Sequence, residues 1–267
     1  MPQMPVVHGG IGFGQTFATS TYGTTLTAGA ANVKGAVVEL IAATPFDAHW
    51  IEVMAGNPST ATAFAIDILI GASTEAALIP DLSFHGRATG DGGGRWLFPV
   101  FIPKGSRISA RVGSFTADVT CMVAVNLFNA GITANGLATA VTQYGTITNS
   151  RGPNLDPGAV AHTDVTVEMT AATVCDHHWI VLSVGNADIA YAGVTKFLID
   201  VCIGASTETT ILSDWPIGGA GTADVARPDL VCHIPAFVPK GSRLTVRARC
   251  SSTTDSDRDL YVILHCA

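Results

Sequence analysis

A motif that could do chemistry, Asp-x-His-Trp, occurs twice, beginning at Asp47 and at Asp176. Residues two apart on a strand point to the same face, so each Asp and His could transfer a proton or bind a metal ion. No nucleophile or third ligand type recurs at a matched position. We therefore expect a structural use, in which Asp47 ends a loop, Trp50 anchors a strand in the core and His49 lies at the rim.

Two further carboxylates, Asp67 and Asp200, lie inside otherwise apolar stretches. Strand alternation places Asp67 on the face opposite Phe64, Ile66 and Ile68. Arginines share one face of a later strand, and an unpaired carboxylate would be costly if covered. We predict structural pairs across the outer faces, Asp67 with Arg111 and Asp200 with Arg247. No second carboxylate recurs at a position suited to acid–base catalysis, so we expect no catalytic residue and no enzyme.

Six cysteines invite a metal or disulfide interpretation. No Cys-x-x-Cys or Cys/His zinc spacing occurs, and five of the six stand where a repeated sequence unit has an apolar residue. This substitution pattern favours free cysteines used as small buried apolar side chains. We predict no metal site and no cofactor, and a disulfide involving Cys232, Cys250 or Cys266 remains open.

The elements that must position these residues come in two copies. Trp50 recurs as Trp179, residues 66–75 recur as 199–208, and residues 101–107 recur as 237–243. Tyr22-Gly23-Thr24 and Tyr144-Gly145-Thr146 extend the match to the start of each copy. This tandem duplication predicts an N-terminal arm over 1–17, one repeat over 18–130, a linker over 131–139 and a second repeat over 140–267.

Each copy is a series of short β-branched or aromatic runs separated by Gly, Pro, Asn, Asp and Ser. No stretch carries an apolar stripe of helical period and length. The sequence predicts an all-β fold of two tandem antiparallel β-sandwiches of jelly-roll type. Pro103 and Gly105 mark a tight turn in the first copy, and Pro239 and Gly241 mark the same turn in the second.

Glycine-rich segments occur at matched places in the two copies. They include Gly92, Gly93 and Gly94 in the first copy, and Gly218 and Gly219 in the second. Such segments are typical of exposed tips, so we predict contacts with neighbouring molecules there.

Charged residues make up only 13% of the 267 residues, and the formal net charge is −7. A typical soluble domain carries about 25% charged residues. The acidic balance argues against nucleic-acid binding, which needs clustered cations. The longest apolar runs are far too short to cross a membrane, and we expect neither a membrane span nor a secretory signal. So little charge suits a surface that is covered by copies of the chain or by a lattice.

Two motifs resemble β-sandwich virion proteins of tailed bacteriophages. They are Ile-Asp-Ile-Leu-Ile-Gly-Ala-Ser-Thr-Glu at 66–75, followed by Leu-Ile-Pro-Asp at 78–81, and Phe-Ile-Pro-Lys-Gly-Ser-Arg-Ile-Ser-Ala-Arg at 101–111. The resemblance implies a structural protein without catalytic residues. It also implies a homo-oligomer, with a trimer favoured.

We therefore expect a decoration or cement protein on the virion exterior, made in the host cytoplasm, whose partners are itself and the major capsid protein or other virion proteins. One alternative is a receptor- or carbohydrate-binding module of a tail or spike, in which Trp96 or Trp215 stacks on sugars. Another is a major capsid protein with two jelly rolls.

Overall fold

The computed structural model describes residues 10–13, 23–71, 74–86, 93–129, 137–157, 164–185, 196–204, 207–218, 231–251 and 260–267. This part of the chain is built from strands, and all the strand pairs are antiparallel. Within it, no helix is long and apolar enough to cross a membrane.

Within the described residues, the first copy of the duplicated sequence forms nine strands. They are β1 (Gly10–Phe13), β2 (Thr24–Thr27), β3 (Val38–Ile41), β4 (Trp50–Gly56), β5 (Ala63–Ile70), β6 (Ala76–His85), β7 (Gly93–Phe98), β8 (Ile108–Ser114) and β9 (Thr120–Phe128). One sheet has the order β1-β9-β4-β7, with β2 also paired to β9, and the other has the order β3-β8-β5-β6. We name them the β9 sheet and the β8 sheet.

The described part of the second copy contributes another nine strands. They are β10 (Thr142–Tyr144), β11 (Asn154–Leu155), β12 (Val165–Thr170), β13 (Ile180–Gly185), β14 (Lys196–Ile203), β15 (Thr209–Gly218), β16 (Val231–Ile234), β17 (Leu244–Cys250) and β18 (Leu260–Cys266). They form the β18 sheet, of order β10-β18-β13-β16 with β11 also on β18, and the β17 sheet, of order β12-β17-β14-β15.

Each pair of sheets has jelly-roll connectivity. Strands β2, β9, β4 and β7 form one layer, and β3, β8, β5 and β6 form the other, so from β2 onward consecutive strands alternate between layers except at the β5–β6 hairpin. The second copy repeats this order strand for strand. The predicted all-β fold of antiparallel sandwiches is confirmed.

Period-2 alternation explains the strands and the core between each pair of sheets. On β5, Phe64, Ile66 and Ile68 are fully buried in the core of the first sandwich. Asp67 lies on the opposite face of the same strand, as the pattern predicts.

Strand register shows which residues of the two copies are structural counterparts. Phe13 pairs with Val125, and Tyr144 pairs with Leu264, at equivalent places in the two sheets. Phe13 is therefore the counterpart of Tyr144, so the sequence match of Tyr22 to Tyr144 is wrong. The four residues of strand β1 lie within the predicted arm of residues 1–17, and they extend the β9 sheet.

The two sandwiches share buried contacts. Val141 and Val181 of the second copy belong to the hydrophobic core of the first, and Trp179 packs against that core. The core of the second sandwich contains no described residue of the first. The contact is therefore one-sided, because residues of the second sandwich enter the core of the first but not the reverse. Strand β6 lies across β13 and β10, on the outer face of the β18 sheet.

Candidate functional site

The carboxylate of Asp67 lies at a β-bulge. The register of β5 and β6 shifts at this point, and Asp81 on β6 has a φ of 47°. The bulge takes the Asp81 N–H out of the ladder, and this N–H donates to Asp67 Oδ1 over 3.0 Å. An aspartate thus recurs within an apolar strand because it satisfies the backbone donor that the bulge removes from the ladder.

Two cations complete the Asp67 cluster. Arg111 Nε donates to Asp67 Oδ2 over 2.8 Å, and Lys34 Nζ donates to Oδ1 over 2.8 Å. Burial raises the pKa of Asp67, but the charge of Lys34 and the hydrogen bonds from Lys34, Asp81 and Arg111 outweigh it and hold the pKa below its ordinary value. The carboxylate is a fixed anion within a structural network. Sequence reasoning placed Arg111 beside Asp67 but did not anticipate Lys34 or Asp81.

The second sandwich repeats this cluster in a more exposed form. Arg247 Nη2 lies 3.0 Å from Asp200 Oδ2, and the N–H of Asp214 donates to Asp200 Oδ1 over 2.7 Å. Asp214 has a φ of 52°, as expected of the same bulge. The Asp200 side chain is 22% exposed, against 6% for Asp67.

A second repeated ion group was missed by sequence reasoning. Arg107 contacts Glu39 and Glu75, while Arg243 contacts Glu168 and Glu208. Glu75 and Glu208, like Arg107 and Arg243, stand at matched positions of the duplication. That recurrence of opposite charges was the available signal. Such groups stabilise strand pairing on the sheet surface.

The two proline-glycine turns have the same geometry. Gly105 has a φ of 83°, Gly241 has a φ of 81°, and Ser106 N donates to Pro103 O over 3.2 Å. Pro239 occupies the matching position in the second turn, where its carbonyl accepts from Ser242 N. These are type II turns, which require a positive φ at the third residue.

Each turn is held by the aspartate of an Asp-x-His-Trp motif. Asp47 Oδ1 accepts from Lys104 N over 2.7 Å, and Asp176 Oδ1 accepts from Lys240 N over the same distance. The aspartates therefore anchor backbone. Among the described residues, no group of three or more His, Cys, Asp or Glu side chains is placed to hold a metal ion.

The glycine-rich segments are only partly described. Gly92 and Gly219 lie outside the described residues, while Gly93, Gly94 and Gly218 lie in strands rather than at loop tips. At Gly94, a Cβ atom would lie 2.1 Å from the Trp96 ring, so packing requires glycine there.

Cys121, Cys175, Cys202, Cys232 and Cys266 are free thiols. Four of the six cysteines are buried, Cys232 is half-buried and Cys175 is exposed, so Cys175 departs from the predicted buried use. Burial raises the pKa of Cys121 to about 12, which keeps that thiol protonated and unreactive.

The group richest in chemically active side chains lies beside the junction of the sandwiches, on the outer face of the β9 sheet. Glu52 is 5% exposed; it accepts hydrogen bonds from Arg95 Nε and, over 2.7 Å, from Asn126 Nδ2. His233 comes from the second sandwich, and its Nε2 accepts from Leu97 N over 3.0 Å. We name Glu52, Arg95, Asn126 and His233 the junction cluster.

The imidazole of His233 is held in one neutral form. Its Nε2 is occupied as an acceptor, so the ring proton lies on Nδ1. Burial lowers the pKa of His233, the charge of Arg95 lowers it further, and Glu52 opposes both. The junction cluster thus presents a carboxylate, a guanidinium, an amide and a neutral imidazole on one surface, which suits hydrogen bonding to a polar partner.

Aromatic residues join the sandwiches around this cluster. Trp50 and its counterpart Trp179 meet edge to face with ring centroids 5.4 Å apart, and Trp179 Nε1 donates to Leu97 O over 2.9 Å. Trp50 is half-buried at the junction, so the expectation that it anchors its own strand in the core is wrong. Trp96 is fully buried and donates to Ser183 Oγ over 2.8 Å. It is therefore unable to stack on a sugar.

Sequence reasoning missed the junction cluster, although the duplication carried a signal. Glu52 is the counterpart of Val181, and strand register makes Asn126 the counterpart of His265. Glu52 and Val181 lie between positions that face the core in both copies. A carboxylate in one copy where the other has an apolar residue indicates that this face contacts different neighbours in the two copies.

Comparison of the sequence with protein-family models and with curated proteins finds no match. Solved structures similar to this chain include PNGF-II, with a TM-score of 0.40 and 10% identity over 96% of this chain. The chain covers 65% of PNGF-II, less than two thirds of its length. PNGase F, a glycosylasparaginase from Flavobacterium meningosepticum, has a TM-score of 0.35 and 8% identity, covering 97% of this chain and 96% of that one.

A triple jelly-roll protein from the turret assembly of an archaeal virus is also similar, with a TM-score of 0.23 and 15% identity over 94% of this chain and 59% of that one. At these identities and TM-scores, none of the likenesses carries an argument about what this chain binds. One expectation is nevertheless contradicted. A glycosylasparaginase is among the structures similar to this chain, so the prediction that the chain is not an enzyme does not follow from its fold and is withdrawn.

Proposed function

We propose that this chain is a structural protein of a bacteriophage virion and that it decorates or stabilises the capsid from outside. The proposal starts from the motifs at 66–75 and 101–111, which resemble virion β-sandwich proteins. Its partners would be further copies of the chain and the major capsid protein or other virion proteins.

The use of charge in the folded chain is the observation that carries the proposal. The chain has 14 lysines and arginines. Among the described residues, those held in ion pairs within the chain include Lys34, Arg95, Arg107, Arg111, Arg243, Arg247 and Arg249. At least half of a small set of cations is thereby committed to internal partners. A surface with so few free cations is poorly suited to a large solvated area and well suited to burial between subunits.

Exposed apolar side chains support the same function. In the part of the chain that the structure describes, the large apolar side chains with the greatest exposure are Val33, Val37, Phe115, Val174 and Phe237, at 40 to 61%. Scattered apolar residues are ordinary on a protein surface. Combined with the low charge, they favour a protein that contacts several neighbours.

The net charge of −7 favours a position on the outside of the particle. An acidic protein is repelled by the phosphates of a packaged genome, and it lacks the cations that would neutralise them. Contact with other virion proteins carries no such cost.

The copy number of the chain in purified particles tests this proposal. Particles from a lysate of the source would be measured by quantitative mass spectrometry against a heavy-isotope standard of the full chain. A shell protein would be present in on the order of hundreds of copies. Particles from a strain lacking the gene serve as the control, and we expect them to lose genome at a lower temperature. Absence of the chain from intact particles would refute the proposal, and about a dozen copies or fewer would place it in a tail or neck instead of the shell.

A further inference from the structure

The contact between the two sandwiches uses a different surface of each. The first contributes strand β6, where Leu78 O accepts from Val141 N over 2.8 Å and Pro80 O accepts from His265 Nε2 over 2.8 Å. The second contributes the outer face of the β18 sheet, including Val181. A contact between unlike surfaces uses only one of the two matched surfaces of each sandwich.

Strand β15 is the counterpart of β6 in the second sandwich. Ile66 pairs with Leu82 on β6, and its counterpart Ile199 pairs with Trp215 on β15. The bulges at Asp81 and Asp214 agree with this alignment. In the second sandwich, β15 therefore corresponds residue by residue to the strand with which the first sandwich makes the contact, β6.

The two strands differ in what covers them. Leu78 on β6, whose carbonyl accepts from Val141 N of the second sandwich, is fully buried. Its counterpart Ile211 is only partly buried, although it is equally apolar. Among the described residues, no sheet packs across the apolar edge strand β15 as the β18 sheet packs across β6.

A second position shows the same difference. Phe101 is half-buried, and its N–H donates to Ala138 O over 2.9 Å in the segment that leads into β10. The counterpart of Phe101 is Phe237, which is 54% exposed. The segment before β10 therefore covers the first sandwich at a place where the second sandwich is open.

We propose that a second copy of the chain covers both places by docking its first sandwich on the second sandwich of its neighbour. The relation between the copies would be the one that joins the two sandwiches within a chain. Strand register makes Gly10 the counterpart of Val141, so Gly10 of the second copy would lie against Ile211. In the sequence, Val6 and Val7 precede β1 as Leu137 and Ala138 precede β10.

The outer face of the β9 sheet is the surface that the second copy would bring. It carries Glu52 and Asn126 where the β18 sheet carries Val181 and His265. Polar groups on this face make the contact between copies weaker than the one within a chain, and therefore reversible. Because the two surfaces are unlike, repetition produces a closed ring or a filament. The inference deepens the proposed function, of which self-association is a part.

Disulfide trapping tests the arrangement directly. Val141 N lies 2.8 Å from Leu78 O, which sets their Cα atoms about 5 Å apart, within the range that a disulfide spans. Gly10→Cys and Ile211→Cys would therefore cross-link between copies if the relation is repeated. Both are made with Cys175→Ser and Cys232→Ser, since these two thiols are the accessible ones.

We expect a cross-linked dimer when the Gly10→Cys chain is mixed with the Ile211→Cys chain under mild oxidation. Each variant alone should give none. Efficient cross-linking of Ile211→Cys to itself would indicate a two-fold contact and overturn the proposal, as would no cross-link in the mixture.

Sedimentation velocity of the full chain over a range of concentrations provides the second test. Ile211→Asp and Phe237→Asp should each raise the dissociation constant of self-association at least about tenfold. Val33→Asp is the matched control, because Val33 is also exposed but lies in the first sandwich away from this surface. Circular dichroism and the thermal midpoint confirm that each variant folds.

The proposed docking surface would be refuted if the chain stayed monomeric at all concentrations. It would also be refuted if Val33→Asp weakened self-association as much as Ile211→Asp and Phe237→Asp do. The virion assignment fails separately, through absence from particles. A monomeric chain found in many copies on the shell would refute this contact alone.

Discussion

His265 donates a hydrogen bond from Nε2 to the carbonyl oxygen of Pro80 over 2.8 Å, and this bond joins the second sandwich to the first. The side chain is fully buried, and the Phe98 ring lies 6.0 Å away in an edge-to-face arrangement. Its Nδ1 has no hydrogen-bond partner among the described residues. Burial lowers the pKa of His265 to about 4, although Pro80 O and the nearby Asp81 oppose this shift.

Stability should therefore fall as the solution is acidified. The folded pKa of about 4 lies below the ordinary value of 6.5, so the contribution of His265 is complete above pH 6.5 and is lost as the pH falls toward 4. The loss amounts to about 3 kcal/mol in the free energy of unfolding. Urea titrations at pH 7 and at pH 4 would measure it.

His265→Gln provides the control for this prediction, because glutamine keeps a donor for Pro80 O but does not titrate. The variant should lose less stability than the wild type over the same pH interval. Equal losses would show that His177 and His233, whose pKa values are also lowered by burial, account for the effect.

The two tryptophans at the junction should respond unequally to the same substitution. Trp179 Nε1 donates to Leu97 O, whereas Trp50 Nε1 is buried without a hydrogen-bond partner among the described residues. Trp179→Phe should lower the free energy of unfolding by about 1 kcal/mol more than Trp50→Phe, since only the first removes a hydrogen bond. Chemical denaturation of both variants measures the difference, and equal effects would argue against the bond.

The repeated Asp–Arg pairs should also differ in their contribution. Asp67 is nearly buried and binds Lys34, Arg111 and the Asp81 N–H, so Asp67→Asn should cost about 3 kcal/mol. Asp200→Asn removes a more exposed charge and should cost roughly 1 kcal/mol or less. Equal midpoints and slopes in urea for the two variants would contradict this ranking.

Substitution of two glycines by alanine should destabilise the fold for different reasons. Gly105 has a φ of 83° and no atom within 4 Å of a Cβ position, so Gly105→Ala carries only the backbone cost, about 1 kcal/mol. At Gly35, a Cβ would lie 1.9 Å from Thr27 O, so Gly35→Ala should cost at least about 2 kcal/mol. Gly105→Asn should be nearly neutral, because asparagine tolerates a positive φ. Thermal midpoints of the three variants test this order.

Part of the site was accessible from sequence because strands have a fixed period. Alternation along β5 places Asp67 opposite the core-facing residues, and alternation along β8 brings Arg111 to the same face. The bulge that explains the aspartate was not accessible, because it depends on how β6 pairs with β5 around Asp81. Lys34 was missed for a similar reason, since a loop far away in sequence brings it to the carboxylate.

The duplication and the strand class follow from the amino-acid sequence alone, because both are local patterns of residue type and spacing. How the two sandwiches meet depends on packing between segments that are far apart in the chain. The matched tryptophans Trp50 and Trp179 look identical in sequence, yet they differ in hydrogen bonding at a one-sided junction. A duplication makes two surfaces alike, but packing one against the other buries different parts of each. That difference leaves β15 open where β6 is buried, and no local pattern records it.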